Sequence, residues 1–176
     1  RKFKGIVKSA TISKNPSGQY FASILVEEEI ELMQNTGRSI GIDLGLSSLI
    51  TLSDGTKIDN PRWFRESQAK LARAQKWLAK KIKGSKRREK QRSKVAKLYQ
   101  KITNQRDWFL HNLSTWLVKN YDAICTENLR VKNMIKNHSL AKSIQDASWS
   151  KLISMINYKS TWYGKSFVKV DTWFAS

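Results

Sequence analysis

No glycine or proline occurs between Ser85 and Tyr163, whereas the first 84 residues hold both prolines and seven of the eight glycines. Glycine and proline are the strongest breakers of regular structure, so their distribution divides the chain into a turn-rich first half and a stretch open to long helices. From Arg62 to Lys119 apolar residues recur at helical spacing, with one break at Gly84-Ser85. Phe64, Leu71, Leu78 and Ile82 share one face of a first helix. Val95, Leu98, Ile102, Phe109, Leu113 and Trp116 share one face of a second. Asn60 and Pro61 read as the N-cap and first position of the first helix. The pattern predicts a long antiparallel helical hairpin.

Strands surround it. Lys4–Ser13 and Gln19–Val26 are strand-like and are joined by Asn15-Pro-Ser-Gly18, which has turn chemistry, so a β-hairpin is expected. The acidic stretch Glu27–Glu31 reads as a connector, and residues 1–32 as a unit apart from the rest of the chain. Residues 39–44, 47–52 and 57–58 predict a three-stranded antiparallel meander, with Ser53-Asp-Gly55 as a turn. Tyr121–Leu129 contains a short apolar strand ending at Glu127. Residues 132–142 read as a polar loop, Ser148 as the cap of a helix through Tyr163, and Phe167–Val170 as a last strand. The order strands, helices, strand, helix, strand predicts an α/β domain with non-local pairing.

The 33 basic and 14 acidic residues are unevenly placed. Residues 1–60 carry 7 of each sign, residues 107–176 carry 9 basic and 5 acidic, and residues 61–106 carry 17 basic and 2 acidic. Such a lopsided segment repels itself and calls for a polyanion. The segment lacks the aliphatic-faced pattern of a membrane-surface helix, and no apolar run is long enough to span a bilayer, so nucleic acid is the expected partner and a membrane is not. The first residue is Arg1, and the sequence reads as a soluble intracellular fragment of a longer protein. The single cysteine, Cys125, excludes an internal disulfide and a cysteine-based zinc site built by this chain alone.

Asp43 stands inside the run Ser39-Ile-Gly-Ile-Asp-Leu-Gly45, which reads as a buried strand. A carboxylate there would lose hydration unless something positive compensated it. Glu127 also ends a short apolar strand. If the two strands are neighbours, the carboxylates converge, repel, and are relieved by a divalent cation. Hard oxygen donors suit Mg²⁺ or Mn²⁺, and a pair of such ions can serve an in-line phosphoryl displacement. His111 and His138 have no ligand-spaced company and read as structural or surface residues.

The segment "SIGIDLGLSSLITLSDG" (39–55) resembles the first RuvC motif of the TnpB proteins, also called OrfB transposases, and "AICTENLRVKNM" (123–134) resembles their second. "RDWFLHNLSTWLVKNYD" (106–122), "KNHSLAKSIQDASW" (136–149), "YKSTWYGK" (158–165) and "VDTWFAS" (170–176) follow the family's order. The hairpin at 4–26 is similar to the last strands of the family's wedge domain. The resemblance implies an α/β, RNase H-like (RuvC) mixed sheet over 38–176, with a basic helical-hairpin insertion at about 61–119, preceded by a wedge remnant at 1–32. It implies a core of an RNA-guided, metal-dependent DNA endonuclease encoded by an insertion sequence, cytoplasmic and nucleoid-associated in a bacterium or archaeon. Asp43 and Glu127 would be catalytic carboxylates and metal ligands, with Mg²⁺ or Mn²⁺ as cofactor. Guide RNA and target DNA would be the partners, and the resemblance names no protein partner. Lys70, Arg73, Lys76, Lys80, Lys83, Lys86, Arg87, Arg88, Lys90, Arg92, Lys94 and Lys97 would meet nucleic-acid phosphates, with Trp63, Trp77 and Trp108 read mainly as core.

The chain also departs from that family. A zinc ribbon and a third catalytic Asp come after the "WF" segment in the family, whereas this sequence stops at Ser176. Zinc is therefore expected only in the missing ribbon, and Asp171 is a poor substitute for the third acid. Ala175 stands where the family usually has Pro. The expected fragment holds two of three metal ligands and cleaves weakly or not at all. An alternative is a cleavage-deficient RNA-guided DNA-binding repressor, although such a protein would tend to lose Asp43 and Glu127 as well. The "GIDLG" string also opens actin-like and Hsp70-like ATPases, but the later glycine-rich phosphate loop they need is absent.

Overall fold

The structure is a computed structural model that describes residues 4–128 and 147–170. The expected loop at 132–142, His138, Asp171 and the "VDTWFAS" segment beyond Val170 lie outside the described residues. The chain forms two compact units, residues 1–30 with 64–106 and residues 31–63 with 107–176.

In the first unit, β1 (Ile6–Lys14) and β2 (Tyr20–Glu27) form the expected antiparallel hairpin, paired from Ile6–Glu27 to Lys14–Tyr20 with a register shift between Val7 and Ser9. The Asn15 carboxamide oxygen closes the turn by accepting from the backbone N–H groups of Ser17 (3.1 Å) and Gln19 (3.0 Å). This is the local competition for backbone donors that favours Asn in turns. Helices α1 (Trp63–Ala79) and α2 (Lys86–Asn120) are joined through Gly84, whose φ of 82° is open only to a residue without Cβ strain. The Gln91 side-chain amide donates to the Ala74 carbonyl (3.0 Å), and the Gln75 amide donates to the Tyr99 hydroxyl (2.9 Å). Leu71 of α1 and Val95 and Ile102 of α2 are buried. The antiparallel helical hairpin read from the apolar spacing is therefore present.

Three details of that reading are corrected. The first helix starts at Trp63 rather than Pro61, because the Asn60 side chain accepts from the Arg62 N–H (3.2 Å) in a turn that leaves Arg62 at φ 53°. Ile82 lies past the end of α1 and is 80% exposed. Trp116 is exposed, since the helical stripe passes from Leu113 to the fully buried Leu117; its ring rests edge-on against Tyr121.

The second unit is built on a five-stranded mixed sheet. Its strands are β3 (Ser39–Leu44), β4 (Ser48–Leu52), β5 (Lys57–Asp59), β6 (Ala123–Glu127) and β7 (Ser166–Val170), in spatial order β5-β4-β3-β6-β7. The meander β3-β4-β5 is antiparallel, while β3-β6 and β6-β7 are parallel. Parallel neighbours need long crossovers. The helical hairpin supplies the first, and the second contains α3 (Trp149–Tyr163). Ser148 precedes α3 as expected, but it adopts a left-handed conformation (φ 53°) and its hydroxyl does not cap the helix.

β3 alternates strictly. Ile40, Ile42 and Leu44 are buried, while Ser39 and Asp43 are exposed and Gly41 is half-buried. One face of the sheet thus enters the core, where it meets Leu110, Leu113, Leu117 and Val118 of α2 and Trp149, Leu152 and Ile156 of α3. The other face is open among the described residues. A register shift between Ser48 and Ile50 lets Leu49 and Ile50 both turn inward, a local exception that a bulge permits. Gly45 is required at the β3–β4 turn, since a Cβ there would come within 2.9 Å of the Ser48 carbonyl oxygen. Lys159 on α3 is buried without a carboxylate partner among the described residues. Its ammonium donates to the His111 carbonyl (2.8 Å), the Ser114 hydroxyl (2.8 Å) and the Thr115 hydroxyl (2.7 Å), and burial lowers its pKa.

The approach to β3 is fixed by Asp122. Its carboxylate accepts from the N–H groups of Thr36 (2.8 Å) and Gly37 (2.6 Å) and from the Lys165 ammonium, which also donates to the Gln34 carbonyl (2.6 Å). The Lys165 hydrogen bond, with smaller contributions from those of Thr36 and Gly37, lowers the Asp122 pKa from 3.8 to about 2. A lowered acid stabilises the fold above its unfolded pKa and loses that contribution as pH falls through the folded value. The melting-temperature advantage of the wild type over Asp122→Asn should therefore be constant above about pH 5 and shrink as pH drops from about 4 to 2. Melting curves that stay equally separated across that window would exclude the clamp as a source of acid sensitivity.

Candidate functional site

The register of β3 against β6 brings the two sequence-predicted carboxylates together. Ile42 pairs with Thr126, so the next residues along these parallel strands, Asp43 and Glu127, emerge side by side on the open face. Strand spacing sets their backbones about 5 Å apart. Asp43 also faces Thr51 on β4, and Glu127 faces Val170 on β7. A single transverse row therefore runs Lys57, Thr51, Asp43, Glu127, Val170 across all five strands.

The reading of Asp43 as a desolvated acid in a buried strand is overturned. The alternation of β3 sends Asp43 to the open side, where it is exposed, as is Glu127. The run looked uniformly apolar because Gly41 occupies the intervening outward position. Neither carboxylate has a basic partner among the described residues. Proximity of two like charges, not burial, is thus what sets this end of the sheet apart.

The pair borders a cleft of about 300 Å³ whose lining includes Gly41, Thr51, Ser53, Cys125 and Val170. These flanking residues escaped the sequence reading, although Cys125, two positions before Glu127 on a strand, must share its face. Gly41 N–H donates to the Ser53 hydroxyl (3.1 Å), and Ser53 N–H donates back to the Gly41 carbonyl (2.9 Å), which ties the end of β4 to β3. Among the described residues no cluster of three or more His, Cys, Asp or Glu forms a metal cage. Two exposed carboxylates are instead the donor set that suits Mg²⁺, which keeps several waters and takes one or two carboxylates together with substrate phosphate. His111 is on α2, outside this cleft.

The second group of predicted residues belongs to the helical unit. Lys70, Arg73, Lys76 and Lys80, then Lys83, Lys86, Arg87, Lys90, Arg92, Lys94 and Lys97, carry the positive charge of its two helices and the link between them. Arg88 differs: its guanidinium donates to the carbonyls of Leu78 (3.0 Å) and Lys81 (2.9 Å), tying down the end of α1. Arg92 lies 3.5 Å from Glu89, its neighbour one turn back. The assignment of the tryptophans to the core is corrected for two of three. Trp63 packs edge-on against Phe109, but Trp77 is 56% exposed under the Lys81 ammonium and Trp108 is 69% exposed.

Like charges directly across neighbouring strands are destabilising. In metal-free buffer Asp43→Asn should therefore raise stability slightly, by roughly 0.5 kcal/mol, the scale of one cross-strand pair. Calorimetric titration with Mn²⁺ should show weak binding to the wild type that is absent in Asp43→Ala. A variant that melts lower than wild type under EDTA would count against repulsion between the two acids.

Residues 23–138 match the family OrfB_IS605, described as "Probable transposase". A Streptomyces pristinaespiralis protein named "Putative RNA-guided DNA endonuclease" is 45% identical over 96% of this chain and 42% of its own length. The Escherichia coli (strain K12) protein named "Putative RNA-guided DNA endonuclease InsQ" is 33% identical over the whole chain and 48% of its own length. The Mycobacterium tuberculosis (strain ATCC 25618 / H37Rv) protein named "Putative RNA-guided DNA endonuclease Rv2885c" is 29% identical over 78% of the chain and 32% of its own length. The chain thus spans less than half the length of these curated relatives. With about two thirds of its residues inside the family match, it belongs to the OrfB_IS605 transposase family.

Proposed function

We propose that the chain is the RNase H-like nuclease core of an RNA-guided, metal-dependent DNA endonuclease, and that Asp43 and Glu127 hold its divalent cations. The observation that carries this reading is the adjacency of two carboxylates, without a basic partner among the described residues, on parallel strands β3 and β6 at the edge of an open cleft. A mixed sheet with the Asp-bearing strand at its centre supports the RNase H-like assignment, and the relatives' printed names support the reaction and its partners, guide RNA and target DNA. When bound, Mg²⁺ or Mn²⁺ would polarise a phosphodiester and lower the pKa of water. The protein's part is to hold Asp43 and Glu127 about one strand spacing apart on the floor of the sheet, where no basic side chain among the described residues competes for their oxygens.

The exposed lysines and arginines of α1 and α2 would track nucleic-acid phosphates, with Trp77 and its cationic neighbours available for stacking. No helix among the described residues is long and apolar enough to cross a membrane. Ile6, Ile12, Tyr20 and Leu25 remain exposed on the β-hairpin. That apolar surface supports its assignment to a larger, wedge-type β domain, since an isolated hairpin is marginal in water.

Two measurements test the reading. Binding of this chain to structured RNA or an RNA–DNA hybrid should be strongly salt-dependent. If about six phosphates are engaged, affinity should fall roughly a thousandfold between about 50 and 200 mM salt. A flat salt response would remove the electrostatic argument. In the full-length protein with guide RNA and Mg²⁺, Asp43→Ala and Glu127→Ala should each reduce target cleavage to background while leaving target binding intact. Wild-type protein that binds its target but never cuts would favour a cleavage-deficient repressor.

A further inference from the structure

We propose that Lys57 is a positioning residue that grips the DNA backbone at a phosphate flanking the one that a metal on Asp43 and Glu127 would take. The inference rests on the nuclease reading of those two carboxylates and adds a residue that the sequence reading left out of the site. Its basis is placement. Asp43 pairs with Thr51, and Thr51 pairs with Lys57, so all three side chains leave the same face of the sheet in one transverse row. Two strand spacings, about 10 Å, separate the Lys57 backbone from that of Asp43. The four-carbon stem of lysine is long enough to span much of that gap across the sheet face.

The other outward residues of the described strands on this face are Ser39, Gly41, Ser48, Thr51, Ala123, Cys125, Ser166, Val168 and Val170, with the acids Asp43, Glu127 and Asp59. Lys57 is the only basic residue among them. It is exposed, and its ammonium has no carboxylate partner among the described residues. Asp59, the nearest acid on the same strand, receives a hydrogen bond from Ser48 instead (3.4 Å). An unpaired cation beside acids that would bind metal is suited to a bridging polyanion: metal takes one phosphate and the ammonium takes its neighbour.

The position is also built. The β4–β5 turn is closed by Leu52 N–H to the Thr56 carbonyl (2.8 Å) and by Gly55 N–H to the Leu52 carbonyl (2.9 Å). The Asp54 carboxylate accepts from Thr56 N–H (2.9 Å), a bond that lowers the Asp54 pKa. Gly55 sits at φ 86° to make the reversal. These contacts fix the register that sets Lys57 opposite Thr51. The competing role for a lysine on a short edge strand is to discourage edge-to-edge pairing with another chain, which needs only an exposed charge of either sign.

The test is single-turnover cleavage by the full-length RNA-guided complex, with the target already bound and Mg²⁺ saturating. Lys57→Ala should slow cleavage about ten- to a hundredfold, the effect of losing one charge-assisted contact, with target affinity unchanged. Lys57→Arg should restore most of the rate, and Lys57→Glu should be slower than Lys57→Ala. Mn²⁺ binding by Lys57→Ala should match wild type, which separates a grip on DNA from an effect on the metal site. Cleavage at the wild-type rate in Lys57→Ala, or equal rates in Lys57→Glu and Lys57→Arg, would overturn the proposal. Unimpaired cleavage by Asp43→Ala would instead overturn the nuclease assignment on which it rests.

Discussion

The parallel pairing of β3 with β6 is the constraint on which the rest of the second unit depends. A parallel pair cannot be closed by a tight turn, so the chain must leave the sheet after β5 and return from the far side. It does so through α1 and α2, and the last turns of α2 supply Leu110, Leu113, Leu117 and Val118 to cover the sheet. The crossover that makes the pairing possible therefore also buries one face of it. With that face committed to the core, the period of two along each strand sends the alternate residues outward. Asp43 and Glu127 fall on the outward positions, and the Ile42–Thr126 register makes them neighbours.

Much of this was legible in the sequence for identifiable reasons. The helical hairpin was readable because its spacing is repeated over two long segments and interrupted once, at a glycine. The strands were readable because each is short, β-branched and bounded by turn residues. Side-chain exposure was harder. Gly41 hides the alternation of β3 by leaving the outward position between Ser39 and Asp43 without a polar side chain, so Asp43 read as buried. The exposed Trp77 and Trp108 went unrecognised because tryptophan carries a strong prior for burial, which the charged surroundings on these helices override. The start of α1 was misplaced because Asn60 and Pro61 fit a cap, whereas the Asn60 side chain instead binds the Arg62 N–H in a tighter turn.

The open face joins residues from every strand, and none of its pairings is local beyond the β3–β4–β5 meander. Glu127 and Val170 enter only through the two parallel crossovers. The starts of these strands are held by polar contacts as well as by apolar packing. Asp122 ties residues 36 and 37, ahead of β3, to Lys165, just ahead of β7. The three strands β3, β6 and β7 thus begin from one polar node, and their opposite ends carry Asp43, Glu127 and Val170. A rigid origin at one end of the sheet fixes the relative position of the acids at the other, which is what a site dependent on a spacing of a few ångströms needs.

The charge of the chain is divided along the same lines. The helices that hold the excess of positive charge contribute basic residues at many positions, so no single lysine there is essential to a polyanion-binding surface. The sheet face is the opposite case, with two adjacent acids, one further acid and one lysine. On a nucleic acid, density of positive charge gives affinity and its salt dependence, whereas sparse charge at fixed positions gives geometry. On the proposed reading, a protein that holds a long nucleic acid and acts at one bond needs both, and they cannot be met by the same surface: a dense basic lining around Asp43 and Glu127 would pair with the carboxylates and compete with the cation proposed for them. The near-neutral composition of residues 1–60, beside a segment carrying 17 basic and 2 acidic side chains, is the sequence-level trace of that separation.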